Sequence, residues 1–394
     1  MTEHTNTPAL RFSEFRDEWN QNKLSDVVNV YDGTHQTPKY TNEGIKFLSV
    51  ENIKTLNSNK YISKEDFIKE FKIHPEYGDI LMTRIGDIGT PNIVNLKEPL
   101  AYYVSLALLK PININSYFLN SLILSPTVQN ELWRKTLHIA FPKKINKNEI
   151  AKVLINYPTF NEQEKIGYFF SKLDSQLELE EKKLELLEQQ KRGYMQKIFS
   201  QELRFKDENG NKYPNWQTVK IGSILKERKE RSGDGEMLSV TINHGIVKFD
   251  EIDRKDNSSK DKSNYKKVYK NDIAYNSMRM WQGASGKAEF DGIVSPAYTV
   301  VTPIENINSN FIAYYFKTHN MIHKFRINSQ GLTSDTWNLK YKQLKDIKIS
   351  ICSKEEQDKI ADLLTILDTR IKKQNHKLEI LNINKKGLLQ KMFV

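Results

Sequence analysis

The sequence is almost without cysteine, and it contains no long apolar run. Cys352 is the single cysteine among 394 residues, which excludes an internal disulfide and a cysteine-based zinc cluster. The opening residues, MTEHTNTPAL, lack the apolar stretch of a secretory signal. No segment approaches the roughly 18 consecutive apolar residues that a membrane-spanning helix needs. These absences predict a soluble chain in a reducing cytoplasm, with no membrane partner.

Catalytic motifs are also missing. Residues 156–160 lack the consecutive prolines of an amino-methyltransferase motif. Residues 283–288 resemble a phosphate-binding loop, but they lack its spacing and the hydroxyl residue after the lysine. His319 and His323 lie four residues apart on a predicted helix, with no third metal ligand in the pattern. The sequence therefore predicts a chain that is not an enzyme, with no catalytic residue, no metal site and no bound cofactor.

Positive charge is present in excess. The net charge is +11, and residues 201–350 contribute much of it, with 25 Lys and Arg against 18 Asp and Glu. Such an excess favours a polyanionic partner such as nucleic acid, although membrane surfaces and acidic proteins would also be attracted. The length, together with a hydrophobic content of 38%, predicts two or more folded domains.

The strongest feature is an internal repeat. Residues 157–200 align without gaps on residues 351–394, with 15 of 44 positions identical. Weaker matches open each half: Leu-Arg-Phe at 10–12 and again at 203–205, and a tryptophan at 19 and at 216. Between these anchors the two halves differ. This pattern predicts a duplicated scaffold with two dissimilar domains, in a pseudo-two-fold arrangement.

Each repeated segment has the heptad pattern of a long coiled-coil helix. Since the two copies match in length and register, we expect them to pack on each other as an intramolecular antiparallel coiled coil. Pairing with another protein, or with a second copy, is the alternative. The predicted seam residues are Leu173, Leu177, Leu184 and Leu187 in the first copy, and Leu367, Ile371, Leu378 and Leu381 in the second.

Polar residues interrupt each seam at the same places. An antiparallel register places Lys385 beside Asp174, and Lys191 beside Asp368. A half-buried lysine is costly unless it is paired. The sequence therefore predicts two reciprocal ion pairs that specify the register.

The parts between the helices read as mixed α/β heads. Predicted strands cover residues 27–33, 45–50, 78–83 and 102–109 in the first head, and 236–242, 244–250, 271–278 and 297–303 in the second. A helical stretch follows in each, over 116–133, where Pro126 predicts a kink or break, and over 310–326.

Three loops in each head mix basic, amide, hydroxyl and aromatic side chains. Arginine reads guanine and glutamine reads adenine bidentately, whereas lysine and hydroxyl groups favour phosphates. A single loop arginine or glutamine is more often only a solvated surface group, but the loops recur at corresponding places in two dissimilar heads. The candidate DNA-binding residues are His35, Gln36, Thr37, Lys39, Arg84, Lys143 and Lys144 in the first head, and Arg231, Arg279, Trp281, Gln282, Thr333 and Ser334 in the second.

Over its whole length the chain resembles the specificity (S) subunits of type I restriction–modification systems. The resemblance rests on Glu-Gln-x-Lys-Ile at the helix openings and Lys-x-Gly-x-x-Gln-x-x-Phe at their ends, and on residues 78–86 and 32–35. The second head departs from the first, with Asn271 in place of Gly78 and no His-Gln loop.

The resemblance implies an α+β fold with four segments: a first target recognition domain (1–157), a central conserved helix (158–200), a second target recognition domain (201–350) and a C-terminal conserved helix (351–394). Each domain would grip one half of an asymmetric, bipartite double-stranded DNA site, and the helices would set the gap. Two methyltransferase subunits would methylate adenine at N6 with S-adenosylmethionine. Two ATP- and Mg-dependent restriction subunits would complete the complex, in a bacterial cytoplasm.

Two other functions fit the same residues. One is a DNA-reading subunit of a combined restriction–methylation enzyme. The other is a DNA-binding coiled-coil scaffold outside any restriction complex. Neighbouring reading frames for a methyltransferase and a helicase–nuclease would separate these possibilities.

Overall fold

The computed structural model describes residues 6–252 and 261–394, and the chain divides into two compact units. The first unit comprises Met1–Lys182 and His376–Val394, and the second comprises Lys183–Asn375. Each unit thus contains one predicted head and part of both long helices. Every helix in the described part of the chain is too short or too polar to cross a bilayer.

The first head consists of short strands followed by helices. Its elements are β1 (Asn20–Lys23), β2 (Val28–Asp32), β3 (Ile45–Leu48), β4 (Tyr61–Ile62), α1 (Lys64–Glu70), β5 (Ile80–Ile85), β6 (Asp87–Ile93), β7 (Leu100–Tyr102), β8 (Leu106–Pro111), α2 (Ser116–Leu124), α3 (Pro126–Arg134), α4 (Lys147–Ala151) and β9 (Leu154–Tyr157), and the long helix α5 (Phe160–Phe199) follows.

The strands of the first head form a central antiparallel sheet, in the order β2-β8-β5-β6, and a smaller sheet, in the order β4-β3-β7. Alternate residues of the central strands face opposite cores, as the period of a strand requires. Ile80 and Met82 pack with the helices, whereas Leu81 packs with the smaller sheet. The head therefore has three layers, and β1 pairs with β9 where the chain enters and leaves it.

The second head has a similar series of elements. They are β10 (Gln217–Lys220), α6 (Ile221–Ile224), β11 (Leu225–Glu227), β12 (Met237–Thr241), β13 (Gly245–Lys248), β14 (Lys266–Val268), β15 (Ile273–Asn276), β16 (Ser285–Lys287), β17 (Gly292–Val294), β18 (Tyr298–Pro303), α7 (Ser309–Phe316), α8 (His319–Asn328), α9 (Tyr341–Leu344) and β19 (Lys348–Ile351), followed by the long helix α10 (Lys354–Met392).

The two heads share one sheet topology, to which the second head adds one strand. The second central sheet runs β11-β18-β15-β16, and β10 pairs with β19 as β1 does with β9. In the smaller sheet β12 pairs in parallel with β17, as β3 does with β7, and β14 is an addition. The internal repeat therefore extends through the heads, and the predicted α+β fold with two mixed heads and two long helices is confirmed.

Gly78 and Asn271 occupy equivalent turns, two residues before β5 and β15. Both adopt a left-handed backbone, with φ of +90° and +73°, which glycine and asparagine tolerate best. The turn aims the next residue inward, where Asp79 and Asp272 accept backbone N–H bonds from Glu76 and Tyr269 at 2.8 and 2.9 Å. The asparagine is therefore a conformational equivalent of the glycine.

Two helical predictions need refinement. The stretch 116–133 breaks into α2 and α3 at Pro126, as expected, with Ser125 capping α3. The stretch 310–326 also breaks, into α7 and α8, although it contains no proline. Thr318 accepts a hydrogen bond from the Met321 N–H and starts the second helix. The predicted strand at 102–109 is likewise divided between β7 and β8.

The repeated Glu-Gln pairs at the openings of α5 and α10 are buried. Glu162 forms a two-bond ion pair with Arg11, both bonds 2.7 Å, and Glu356 forms one with Arg204, at 3.1 and 2.6 Å. Gln163 bonds the Asn115 N–H and Pro158 O, and Gln357 bonds the Asn308 N–H and Cys352 O. Each pair therefore fastens the start of a long helix to its own head.

The predicted seam residues of the coiled coil are all buried or half-buried. Leu177, Leu367 and Leu378 are buried, and the other five predicted seam residues are half-buried. In the first unit, Asp174 of α5 contacts Lys385 of α10. Glu180 lies later in α5, and its partner Lys377 lies earlier in α10. This order confirms the antiparallel packing of α5 and α10.

Both predicted ion pairs of the seam are present. Lys385 Nζ lies 2.5 Å from Asp174 Oδ1 in the first unit, and Lys191 Nζ lies 2.5 Å from Asp368 Oδ1 in the second. Tyr314 also donates a hydrogen bond to Asp368, at 2.7 Å. All four charged groups are partly exposed, so we assign them at most about 1 kcal/mol of stability per pair.

We expect these pairs to specify register more than stability. Replacing Lys191 and Lys385 together by leucine should change the free energy of unfolding by about 1–2 kcal/mol or less, while allowing shifted helix pairings. Spin labels at Glu181 and His376, both in the first unit, would then give a broadened distance distribution. The exposed lysines Lys182 and Lys372 provide the matched control. One sharp distance in a more stable double variant would contradict the register role.

Candidate nucleic-acid interface

Three loops of the first head converge at one end of its central sheet. They cover residues 32–39, the tip of the β5–β6 hairpin (83–89) and residues 137–144, and we call them the first loop cluster. The Gly86 N–H donates to Lys143 O at 2.8 Å, and the Ile145 N–H donates to Arg84 O at 3.0 Å. Loop 32–39 joins them through Asp32, which is ion-paired with Arg84. Residues predicted from three separate segments therefore share one surface.

Arg84 lies beneath this surface. Its side chain is buried, Nε donates to Ile145 O at 3.0 Å, and Nη1 is paired with Asp32. Burial lowers the pKa of the guanidinium, although an arginine remains charged at neutral pH. With these donors engaged inside the head, Arg84 ties the three loops together, and its guanidinium is not presented to solvent.

The other predicted residues of the first loop cluster face solvent. The imidazole of His35 lies 4.0 Å from Asp32 and is largely exposed. Backbone atoms of Gln36 bond the Thr34 hydroxyl, which leaves the Gln36 amide free of the turn. Solvated donors of this kind suit phosphate and base-edge contacts. The exposed members are His35, Gln36, Thr37, Lys39, Lys143 and Lys144.

In the second head, two of the three predicted loops meet. They cover residues 277–283 and 329–338, and we call them the second loop cluster. The Leu339 N–H donates to Ser277 O at 2.8 Å, at the position where Ile145 bonds Arg84 in the first head. The rings of Trp281 and Trp337 pack edge to face, with their centroids 5.2 Å apart. Lys317 Nζ donates a hydrogen bond to Gly283 O at 2.6 Å. Burial lowers the pKa of Lys317 to about 8.

The side chains of the second loop cluster differ from those of the first. Arg279 is half-exposed and has no side-chain partner within residues 6–252 and 261–394. Trp281 and Gln282 are half-buried, and the Trp281 indole donates to Met278 O at 3.1 Å. Thr333 forms a turn with Thr336, and Ser334 is exposed beside it.

Arg231 lies apart from this cluster in the described contacts. Its Nη1 donates to Asn264 Oδ1 at 2.6 Å, and its backbone forms a β-bridge with Lys266, the first residue of β14. The second loop cluster also contains Trp337, which was not among the predicted residues, and the guanidinium of Arg326 lies 5.6 Å from the centroid of its ring. A tryptophan in a polar loop next to the predicted Thr333 and Ser334 was the available signal.

The two arginines of corresponding loops should respond differently to alanine. Arg84→Ala leaves Asp32 without its partner and should cost about 2–3 kcal/mol in unfolding free energy. Arg279→Ala should leave stability within about 0.5 kcal/mol and weaken DNA binding by about 1–3 kcal/mol, with relaxed preference at one base if the contact is bidentate. Urea titration and binding to a panel of duplexes measure both. If Arg84→Ala left the free energy of unfolding unchanged and relaxed the preference at one base position, Arg84 would be a base-contacting residue and not a structural one.

Comparison with known proteins gives one consistent family. The family model described as the type I restriction modification DNA specificity domain matches twice, over residues 16–189 and 213–382. The putative type I restriction enzyme MjaX specificity subunit of Methanocaldococcus jannaschii is 24% identical over 415 residues, covering 97% of this chain and 94% of that protein. The MjaVIII specificity subunit of the same organism is 27% identical over 208 residues, covering 50% of this chain and 46% of that protein.

A solved structure has the same architecture. The S subunit of a type I restriction–modification system from M. genitalium superposes with a TM-score of 0.62, covering 98% of this chain and 99% of that one, at 16% identity. At this identity the similarity establishes the fold.

Proposed function

Because the chain belongs to the family of type I restriction–modification DNA specificity proteins, we propose that it recognises an asymmetric, bipartite site in double-stranded DNA. One observation carries the proposal: two heads of the same topology each gather loops at the equivalent backbone junction, yet the side chains on those loops differ. A shared frame with unlike side chains suits two unlike half-sites. The net charge of +11 adds general affinity for the phosphate backbone.

The chain is a non-catalytic specificity subunit, so the chemistry belongs to its partners. We propose two methyltransferase subunits that use S-adenosylmethionine for adenine-N6 methylation, and two restriction subunits that use ATP and Mg. The chain itself would bring these partners to a specific DNA sequence. Because that DNA lies in the cytoplasm of the cell, we propose a cytoplasmic location. A bacterial source stays a prediction, since both curated relatives are archaeal.

The test is methylome sequencing in a host without adenine methylation. The chain is expressed with the methyltransferase subunit encoded beside it, and the control is that subunit alone. We expect one methylated motif with two unlike halves and a fixed spacer, only when the chain is present. Methylation without the chain, or a continuous motif, would contradict the proposal.

We further propose that the long helices set the spacer between the half-sites. The chain passes between its two compact units at 182/183 and 375/376, within α5 and α10. Inserting seven residues at both points preserves the heptad and lengthens each helix by about 10 Å. The methylated motif should then gain up to about three base pairs of spacer. An unchanged spacer, with methylation retained, would mean that the helices are not the ruler.

A further inference from the structure

Three large hydrophobic side chains are essentially fully exposed among the described residues. They are Phe141 at 104%, Leu332 at 100% and Ile139 at 99%, relative to a free side chain, and the next, Ile68, reaches 74%. Single exposed hydrophobic residues are ordinary on protein surfaces. These three residues are not scattered over the surface, however, because all of them lie in the two loops that precede α4 and α9.

The two loops correspond in the repeat. An antiparallel bridge between Leu137 and Lys144 closes the first, and a bridge between Gln330 and Asn338 closes the second. In each head the next helix begins three residues after the closing residue. Dissimilar sequences therefore place apolar tips at the same topological position.

Both loops are held by backbone hydrogen bonds. In the first, the Leu137 N–H donates to Lys144 O at 2.7 Å. In the second, the Gln330 N–H donates to Asn338 O at 3.0 Å, the reverse bond measures 2.8 Å, and Thr336 closes an inner turn. The base of each loop is thus fixed, while the apolar side chains at its tip are exposed. The tips are therefore presented outward as a built feature.

The neighbours of the tips indicate the partner. Lys143 and Lys144 are exposed and follow Phe141 closely in the same loop. Hydroxyl groups of Thr333 and Ser334 adjoin Leu332. Cationic and hydroxyl groups around an apolar point fit a phosphate backbone around stacked bases, and they do not fit an apolar protein surface.

From this arrangement we infer that Phe141 and Leu332 are apolar wedges that enter a base step in their respective half-sites, with Ile139 beside Phe141. An inserted wedge partly unstacks the step and kinks the duplex. The cost depends on the step, and it is lowest at flexible pyrimidine–purine steps. Each head would thereby sense deformability at a position where it forms no base hydrogen bond. The inference rests on the proposed function.

The test uses the full chain and duplexes of its methylated motif, with 2-aminopurine placed in turn at each step of both half-sites. Wild-type protein should raise the fluorescence severalfold at one step per half-site. Phe141→Ser should abolish the rise in one half-site only, and Leu332→Ser in the other. The control is Ile68→Ser on α1, which removes a comparably exposed apolar side chain outside both clusters.

A second measurement separates insertion from simple contact. A mismatch at the sensitive step removes part of the unstacking cost, so wild-type affinity should rise about tenfold, whereas the serine variant should gain little. Specific binding by the wild-type chain without any fluorescence rise would overturn the wedges and leave the proposed function standing. Variants that keep DNA affinity but lose a methyltransferase subunit would assign the tips to protein contact, which also overturns the wedges. Failure of the chain to prefer its motif over random duplex would overturn both.

Discussion

Glu356→Ala is expected to lower the free energy of unfolding of the second unit by about 3 kcal/mol, and Glu162→Ala should do the same in the first. Each carboxylate is 1% exposed and holds a guanidinium through two hydrogen bonds. Removing the carboxylate leaves the half-buried guanidinium of Arg11 or Arg204 without this counter-charge. An unpaired charge of this kind costs more than the pair itself contributes.

Neighbouring glutamates provide matched controls for this expectation. Glu355 lies in the same first turn of α10 and is exposed, and Glu164 is exposed in the corresponding turn of α5. Their alanine variants should lose under about 1 kcal/mol, because interactions of exposed charges near a helix start are weak. Urea titration followed by circular dichroism measures the change. A double variant, Glu356→Ala with Arg204→Ala, should recover part of the loss, and strict additivity would contradict a coupled pair.

The scaffold could be predicted from the sequence because its determinants are local and written twice. The heptad places Leu177 and Leu378 in the seam, and the antiparallel register brings Lys191 to Asp368 and Lys385 to Asp174, as observed. The burial of Glu162 and Glu356 was not foreseen. Their arginine partners lie more than 150 positions away, and sequence distance hides such a pairing.

The candidate site could be predicted only in outline. The composition of the loops identifies them, but the burial of each side chain depends on which strands pair. Arg84 lies two residues before the turn glycine Gly86 and yet is buried, because β5 brings it to Asp32, 52 positions earlier. Arg231 is held instead by Asn264, next to the strand β14 that the first head lacks. Non-local pairing of this kind has no signature in a single loop.

Exchanging residues 20–157 for those of a relative should change one half of the methylated motif completely and leave the other half intact. The structure favours these boundaries because β1 and β9 pair along their whole length, from Asn20 with Tyr157 to Lys23 with Leu154. The exchange therefore transfers both strands of that sheet together. Arg11 and Glu162 stay in the recipient, so the ion pair that fastens α5 is preserved.

The reciprocal exchange of residues 217–351, bounded by the paired strands β10 and β19, should alter only the second half. The main risk of this exchange lies in the packing of the second head on the long helices, where the ring centroids of Phe311 and Phe199 lie 5.5 Å apart. A donor with an aromatic residue at that position is therefore the appropriate choice, and thermal unfolding identifies chimaeras that fail to fold. A folded chimaera whose methylated motif changes in both halves would show that the heads do not read independently, because a self-contained loop cluster can alter only the bases that it touches or deforms.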